Sequence, residues 1–237
     1  MKNREKWIGG RFLKNQNGRY IGYHMERFSS VVYEPLIREY ASGLLADVGC
    51  GDVPLYHFYR DKITDNICVD WENSPTDQSF LDHHVDLNKN MSILESDKFD
   101  TVLCTDVLEH IHEPNILFAE MVRILKPGGH LIIGVPFLYW VHGDPDDYHR
   151  YSHFMLKEYC RKHGLKVIEL EAYGGFPEVL YDLFHKGYAF YNFPLPKVYY
   201  FFLENIGGHF LRTGISKRMS ERSRFFFPLG YMLVAKK

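Results

Sequence analysis

The chain has 237 residues, of which 46% are hydrophobic and 24% charged, as in an ordinary globular protein with a substantial core. Its formal net charge of -2 argues against a broad basic surface for nucleic acid. Because the sequence shows neither a signal peptide nor about 18 consecutive apolar residues, we expect a cytoplasmic protein without a membrane-spanning helix.

The predicted elements begin with a polar segment and a helix in residues 1–40, after which strands and helices alternate. Apolar periodicity places the first helix between Tyr20 and Tyr40, and Gly43 is suited to end it. Strands are predicted at 44–48, 66–70, 83–86, 99–105, 130–135, 165–171 and 229–236, and helices at 54–62, 114–125 and 153–163. This alternation predicts an α/β fold with a doubly wound, seven-stranded, mostly parallel sheet.

One long segment does not follow the alternation. We interpret residues 41–175 as the core, 176–227 as an aromatic-rich and basic insertion, and 228–237 as a final strand that returns to the core. The insertion is expected to form a cap over the active site or a homodimer interface. Its pairing of aromatic with basic side chains leaves a second interpretation open, which is contact with a membrane surface or a lipid-linked substrate.

A glycine-containing turn follows the first strand of the core. The strand ending at Val48 continues into Gly49-Cys50-Gly51, where glycine allows a tight turn and lets a ligand approach the backbone. Alone, this pattern could be only a strand-to-helix turn. Asp70 ends the next strand about twenty residues further on, where doubly wound folds place a carboxylate that accepts ribose hydroxyls. The two features together predict a nucleotide site.

Three segments resemble motifs of the class I S-adenosylmethionine (SAM) dependent methyltransferases. Asp47–Gly51 (DVGCG) resembles motif I, residues 99–110 (FDTVLCTDVLEH) resemble the fourth-strand motif, and residues 125–131 (LKPGGHL) resemble the motif before the fifth strand. Their order and spacing are those of the family over about residues 40–175. The resemblance implies a Rossmann-like methyltransferase sheet, SAM as cofactor and S-adenosylhomocysteine as product. One departure is Val53-Pro54, where the family often has a third glycine.

The resemblance also implies which residues bind SAM. They are Asp47, Gly49, Cys50, Gly51, Asp70, Trp71, Asp86, Leu87, Thr105, Asp106 and His110. The motif I residues would contact the methionine end of SAM. Asp70 and Trp71 would contact the ribose and the adenine, and Asp86 and Leu87 would contact the adenine. The residues at the end of the fourth strand would lie near the sulfonium. Simpler interpretations remain: Asp106 could cap a short helix, Glu109 could be a solvated or helix-pairing acid, and His110 could be a packing residue.

A second cluster follows the fifth core strand, where ligands bind in open α/β sheets. Residues 135–152 resemble a methyltransferase subfamily with a histidine, an acidic proline-containing turn and an Asp-Tyr-x-Arg-Tyr-Ser/Thr run. We expect the acceptor substrate to be lined by Tyr139, Trp140, Asp144, Tyr148 and Arg150.

Within this cluster His142 or His149 could act as general base, since histidine titrates near working pH. Alternatively, Asp147 and Arg150 could form a structural ion pair that fixes the loop. No metal is expected, because the spacing of the histidines and acids matches no standard motif.

The sequence therefore predicts a SAM-dependent methyltransferase for a small-molecule, glycan or lipid-intermediate acceptor. No nucleic-acid partner is expected, since the Asn-Pro-Pro-Tyr type motif is absent after the fourth strand. A SAM-binding regulatory or partner protein without activity is the alternative. An NAD-dependent oxidoreductase is disfavoured by the missing third glycine and by residues 99–131. The acceptor, the methylated atom, the need for a base and the oligomeric state stay open.

Overall fold

The computed structural model describes residues 13–14, 20–21, 23–74, 78–190 and 196–237. Among these, residues 33–171 and 231–237 form one compact unit, and residues 13–14, 20–21, 23–32 and 172–230 belong to a second. Most of the predicted polar N-terminal segment lies outside the described residues. The described part begins with an antiparallel pair, β1 (Leu13–Lys14) and β2 (Tyr20–Ile21), followed by helix α1 (Tyr23–Tyr40).

A seven-stranded sheet forms the core of the first unit. Its strands are β3 (Gly43–Val48), β4 (Ile63–Asp70), β5 (His83–His84), β6 (Phe99–Thr105), β7 (Leu125–Pro136), β8 (Lys166–Tyr173) and β9 (Gly230–Lys236). They lie in the order β5-β4-β3-β6-β7-β9-β8, and the first five are paired in parallel. Lys237 exchanges backbone hydrogen bonds with Gly128 and Gly129, so β9 runs antiparallel to β7. The predicted mostly parallel, seven-stranded sheet is confirmed.

The helices between these strands are α2 (Tyr56–Tyr59), α3 (Pro114–Ile124) and α4 (His153–Lys162). The helix predicted over residues 54–62 is longer than the observed α2. Val53 has a left-handed φ of 53°, Pro54 cannot donate a helical hydrogen bond, and β4 already begins at Ile63. Only four residues remain helical between these limits. All four cysteines are free and buried, as expected of small core residues.

The second unit contains most of the predicted insertion. Its helices are α5 (Phe176–Phe190), α6 (Pro196–Phe202), α7 (Gly208–Arg212) and α8 (Gly214–Ser223), with one π-helical turn over Leu203–Gly207. Thr213 caps α8 by accepting a hydrogen bond from the Ser216 backbone N–H. No helix in the described part of the chain is both long and apolar enough to span a membrane.

Candidate active site

The loop after β3 is held tightly against the end of β4. The backbone N–H groups of Gly49 and Cys50 both donate to the Val69 carbonyl, at 2.8 and 3.2 Å. Gly49 has a φ of 73°, and a Cβ at this position would overlap the Val107 side chain. Glycine is therefore required here both by the backbone conformation and by the space available. The turn is therefore held in a conformation that a larger residue would disrupt.

Asp70 closes this loop from the end of β4. Its Oδ2 accepts a hydrogen bond from the Gly51 N–H at 3.0 Å, and its Oδ1 accepts one from the Trp71 N–H at 2.7 Å. A carboxylate has about four acceptor positions, so the two backbone bonds leave about two for a ligand. The Trp71 side chain is 44% exposed beside it. The structure thus places the two residues expected at the ribose and adenine next to the glycine loop.

Asp47 lies under the loop at the end of β3 and is buried. Its Oδ2 accepts a hydrogen bond from the Tyr59 hydroxyl at 2.7 Å. Burial, reinforced by the nearby charge of Asp70 and only partly offset by Tyr59, raises the pKa of Asp47 to about 7. An ionised Asp47 is therefore destabilised in the absence of a cation, and a positively charged ligand would favour it.

Val53 occupies the position that differs from the family pattern. It adopts a φ of 53°, in the left-handed region that strongly disfavours β-branched residues, and its side chain is buried. Its N–H donates to the Cys50 carbonyl at 2.8 Å and so completes the turn. The loop keeps the conformation that glycine would favour, although the residue is valine.

The residues after β5 sit in a turn of their own. The Asp86 carboxylate accepts a hydrogen bond from the Asn88 N–H at 3.0 Å and pairs with Lys89 at 2.9 Å. The Lys89 partner lowers the pKa of Asp86, which keeps it ionised. Leu87 is buried, and the Val85 N–H donates to the Asp70 carbonyl at 2.9 Å. Asp86 and Leu87 are thereby linked to the end of β4.

Asp106 follows Thr105 at the end of β6 with a φ of 54°. The Tyr33 hydroxyl donates to its Oδ1 at 3.3 Å, and its N–H donates to the Gly134 carbonyl at 2.9 Å. Desolvation by the surrounding protein and the nearby Glu109 carboxylate raise the pKa of Asp106, although part of the residue is open to solvent. It does not cap the following 3-10 helix, because Val107 occupies the N-cap position.

Glu109 was interpreted wrongly from the sequence. It is 0% exposed rather than solvated, and neither of its carboxylate oxygens has a hydrogen-bond partner within the described residues. The Nε2 atoms of His110 and His142 each lie 3.7 Å from its Oε1. Those two rings meet edge to face, with centroids 4.8 Å apart. Sequence reasoning linked none of these three residues to the others.

The loop after β7 is built around a buried ion pair. Asp147 accepts two hydrogen bonds from the Arg150 guanidinium, at 2.5 and 2.7 Å, and one from the His142 N–H at 2.8 Å. The Arg150 partner lowers the pKa of Asp147 to about 2. Arg150 also donates to the Trp140 carbonyl at 2.9 Å. These contacts favour the structural ion pair over a substrate role for Arg150.

The other residues expected near the acceptor surround this ion pair. The Tyr139 ring packs edge to face on His142 with centroids 5.0 Å apart, and the exposed Tyr148 donates to Asp146 at 2.7 Å. Asp144 is exposed. The Nε2 atom of His149 is buried and has no hydrogen-bond partner in the part of the chain that the structure describes.

Comparison with known proteins agrees with this architecture. Residues 46–133 match a family model described as a methyltransferase domain, and the sheet around them has the fold of class I SAM-dependent methyltransferases. Relatives include the ubiquinone biosynthesis O-methyltransferase of Xanthomonas oryzae pv. oryzae, 32% identical over 22% of this chain and 22% of that protein. Thiol S-methyltransferase TMT1B of Rattus norvegicus is 31% identical over 41% of this chain and 42% of that protein. The chain thus spans less than half the length of these curated relatives.

Solved structures show the same fold. A SAM dependent methyltransferase from Archaeoglobus fulgidus superposes with a TM-score of 0.55 at 16% identity, over 91% of this chain and 98% of that one. Phosphoethanolamine N-methyltransferase 2 of Haemonchus contortus in complex with SAM gives a TM-score of 0.50 at 17% identity, over 91% of this chain and 51% of that one. At these identities the likeness extends to the fold alone.

Proposed function

We propose that this chain transfers a methyl group from SAM to a small-molecule acceptor. The observation that carries the proposal is the Asp70 carboxylate, which is hydrogen-bonded to Gly51 and still has acceptor positions for two ribose hydroxyls. The methyltransferase match over residues 46–133 includes this whole region. Bound SAM supplies a methyl group that its sulfonium charge has already activated.

The donor side of the site would work through position and charge. Gly49 and Gly51 both adopt the positive φ that shapes the loop, and Asp70 would hold the ribose. Asp86 and Trp71 would contact the adenine, and Asp47 would supply a carboxylate that a cation favours in its ionised form. Methyl transfer is an in-line displacement, so alignment of the nucleophile and exclusion of water account for much of the rate.

On the acceptor side we propose His142 rather than His149 as the residue nearest the reacting atom. The His142 side chain is 27% exposed and faces Glu109, whereas the Nε2 of His149 is buried. Tyr139 packs on the His142 ring, and Asp147 fixes its backbone. Two of the relatives are named as an O- and an S-methyltransferase, which supports an oxygen or sulfur nucleophile here.

Calorimetric titration of SAM into matched variants tests the donor site. Asp70→Asn should weaken binding about ten-fold or more, because one charged acceptor for the ribose hydroxyls is lost. Asp65→Asn is the control: it lies on the same strand β4 but is exposed and away from the loop. Equal affinity in both variants, with both folded by circular dichroism, would refute the role given to Asp70.

An apolar pocket in the second unit is suited to a fatty-acyl chain. Within the second unit, helices α5 to α8 line an open pocket of about 520 Å³ whose walls are almost entirely aromatic and aliphatic. Its walls include Phe176, Leu180, Phe184, Phe202, Phe210 and Met219. We propose that this pocket binds a fatty-acyl chain.

Binding of a fluorescent fatty-acyl probe tests the pocket. Leu180→Arg places a charge in the wall and should weaken binding about ten-fold or more. Leu183→Arg is the matched control, since Leu183 lies on the same helix, is 56% exposed and is not part of the wall. Equal probe affinity in the two variants would rule out the pocket as the binding place.

A further inference from the structure

The donor site described above makes no use of the most deeply buried carboxylate beside it. Glu109 is 0% exposed, and both of its carboxylate oxygens lack a hydrogen-bond partner within the described residues. An unpaired carboxylate is among the costliest groups to bury, so a positively charged species is needed to offset its desolvation. The groups that face Glu109 show which species that is.

Two imidazole rings present lone pairs to this carboxylate. The Nδ1 of His110 lies 2.5 Å from the Asp146 carbonyl oxygen, and the Nδ1 of His142 lies 3.3 Å from the Trp140 carbonyl oxygen. A carbonyl oxygen only accepts hydrogen bonds, so in each neutral ring Nδ1 carries the proton and Nε2 carries the lone pair. Both Nε2 atoms lie 3.7 Å from Glu109 Oε1.

Three electron-pair donors therefore converge on one point. A separation of 3.7 Å is too long for a direct hydrogen bond. Two ligands that share a tetrahedral zinc ion at about 2.0–2.1 Å lie about 3.4 Å apart, which is close to the spacing observed. The candidate ligand atoms of Glu109, His110 and His142 all lie within 4.8 Å of one another. We propose that these three residues bind a divalent transition-metal ion.

The surroundings have the features of a built metal site. Histidine ligands are usually oriented by a hydrogen bond from the other ring nitrogen, and backbone carbonyls provide it for both rings here. The buried Asp147–Arg150 pair holds the His142 backbone in place. Two imidazoles and one carboxylate suit Zn²⁺ better than Mg²⁺ or Ca²⁺, and three protein ligands leave a coordination position free.

The free position gives the ion a role in the proposed reaction, and this part of the inference rests on the proposed function. An acceptor hydroxyl or thiol that binds the metal becomes more acidic and releases its proton to solvent. The resulting oxygen or sulfur lone pair forms the new bond to the methyl carbon. The breaking carbon–sulfur bond leaves its electron pair on the sulfonium sulfur, which becomes a neutral thioether. Charge and atoms balance without an oxidant or reductant.

Calorimetric titration of ZnCl₂ into the EDTA-treated full chain tests the site without any activity assay. One ion per chain is expected, and Glu109→Gln and His110→Gln should each weaken binding by about 100-fold or more, at least the loss seen for outer partners of metal ligands. His112→Gln is the matched control, because His112 is exposed and lies outside the cluster. His142→Gln provides a third ligand variant, on the loop after β7, should either of the others fail to fold.

Cobalt substitution gives an independent readout. Co²⁺ in the wild-type chain should show the visible absorption of a tetrahedral site, and Glu109→Gln should abolish it. Zinc affinity that is equal in wild type, Glu109→Gln and His110→Gln would overturn the proposal, and so would absence of zinc binding. SAM binding measured on the same EDTA-treated protein separates the two ideas: if it persists, the donor site stands even when the metal site fails.

Discussion

Asp47→Asn should make the folded protein more stable above pH 7 than the wild type. The carboxyl is buried at the end of β3 with the Tyr59 hydroxyl as its partner. Burial and the charge of Asp70 raise its pKa from 3.8 to about 7. The folded state therefore opposes ionisation of this group, and asparagine removes the ionisation while keeping an oxygen for Tyr59.

The size of the effect follows from the shift in pKa. The unfolded chain ionises Asp47 from about pH 4 upward, whereas the folded chain retains the proton until about pH 7. The free energy of unfolding of the wild type therefore falls progressively between about pH 4 and pH 7. Above pH 7 the contribution of the protonated Asp47 carboxyl is fully lost. At about 1.4 kcal/mol per pKa unit, the advantage of the variant should rise from about 1.5 kcal/mol at pH 5 to about 4 kcal/mol at pH 8.

Urea denaturation of the two proteins between pH 5 and 8 measures this difference. Asp86→Asn is the control, and it should make the folded protein less stable instead of more stable, because Lys89 lowers the pKa of Asp86. Since that pair is exposed, its loss should cost less than about 1 kcal/mol. A stability difference between wild type and Asp47→Asn that does not change with pH would refute the reasoning.

Three other predictions address the loop, the ion pair and the donor site. Gly49→Ala should cost about 3 kcal/mol in urea denaturation, because the added methyl group meets a side chain at a positive φ. Gly128→Ala has a positive φ but nothing within 4 Å, so it should cost only about 1–2 kcal/mol, and equal losses would contradict the steric argument. Arg150→Gln should cost about 3–5 kcal/mol by leaving buried Asp147 unpaired, and a loss below about 1 kcal/mol would show that the pair is not structural. Because a bound cation favours ionised Asp47, SAM affinity should rise between pH 6 and 8, and binding should release a proton. Calorimetry in buffers of different ionisation enthalpy detects that proton. A pH-independent affinity would argue against contact between SAM and Asp47.

The mostly parallel seven-stranded sheet and the donor loop were predictable because they depend on local patterns. Buried strands at regular intervals predicted the sheet, and β6 has the predicted bounds, Phe99–Thr105. The Gly-x-Gly turn and Asp70 lie at the ends of adjacent parallel strands, so their proximity follows from topology alone. Each of these features can be inferred from the spacing of a few residues along the chain.

Glu109 was missed because its burial depends partly on residues that are distant in sequence. It was treated as a solvated acid, whereas the segment Leu108–His110 is a single 3-10 turn that points both Leu108 and Glu109 inward. His142, which faces Glu109, lies on the loop after β7. No short-range sequence pattern predicts the contact between this loop and the segment after β6. The helix at α2 was predicted too long for a related reason, since the backbone of Val53 departs from the geometry that valine favours.

The measurement that tests the central claim most directly is a calorimetric comparison of SAM, S-adenosylhomocysteine and NAD on the wild-type chain. The site predicts that the first two bind with one ligand per chain and that NAD does not bind, since the loop of Gly49 and Gly51 together with Asp70 is assigned to a SAM nucleoside. Binding of NAD in place of SAM, or of none of the three by folded protein, would contradict the account.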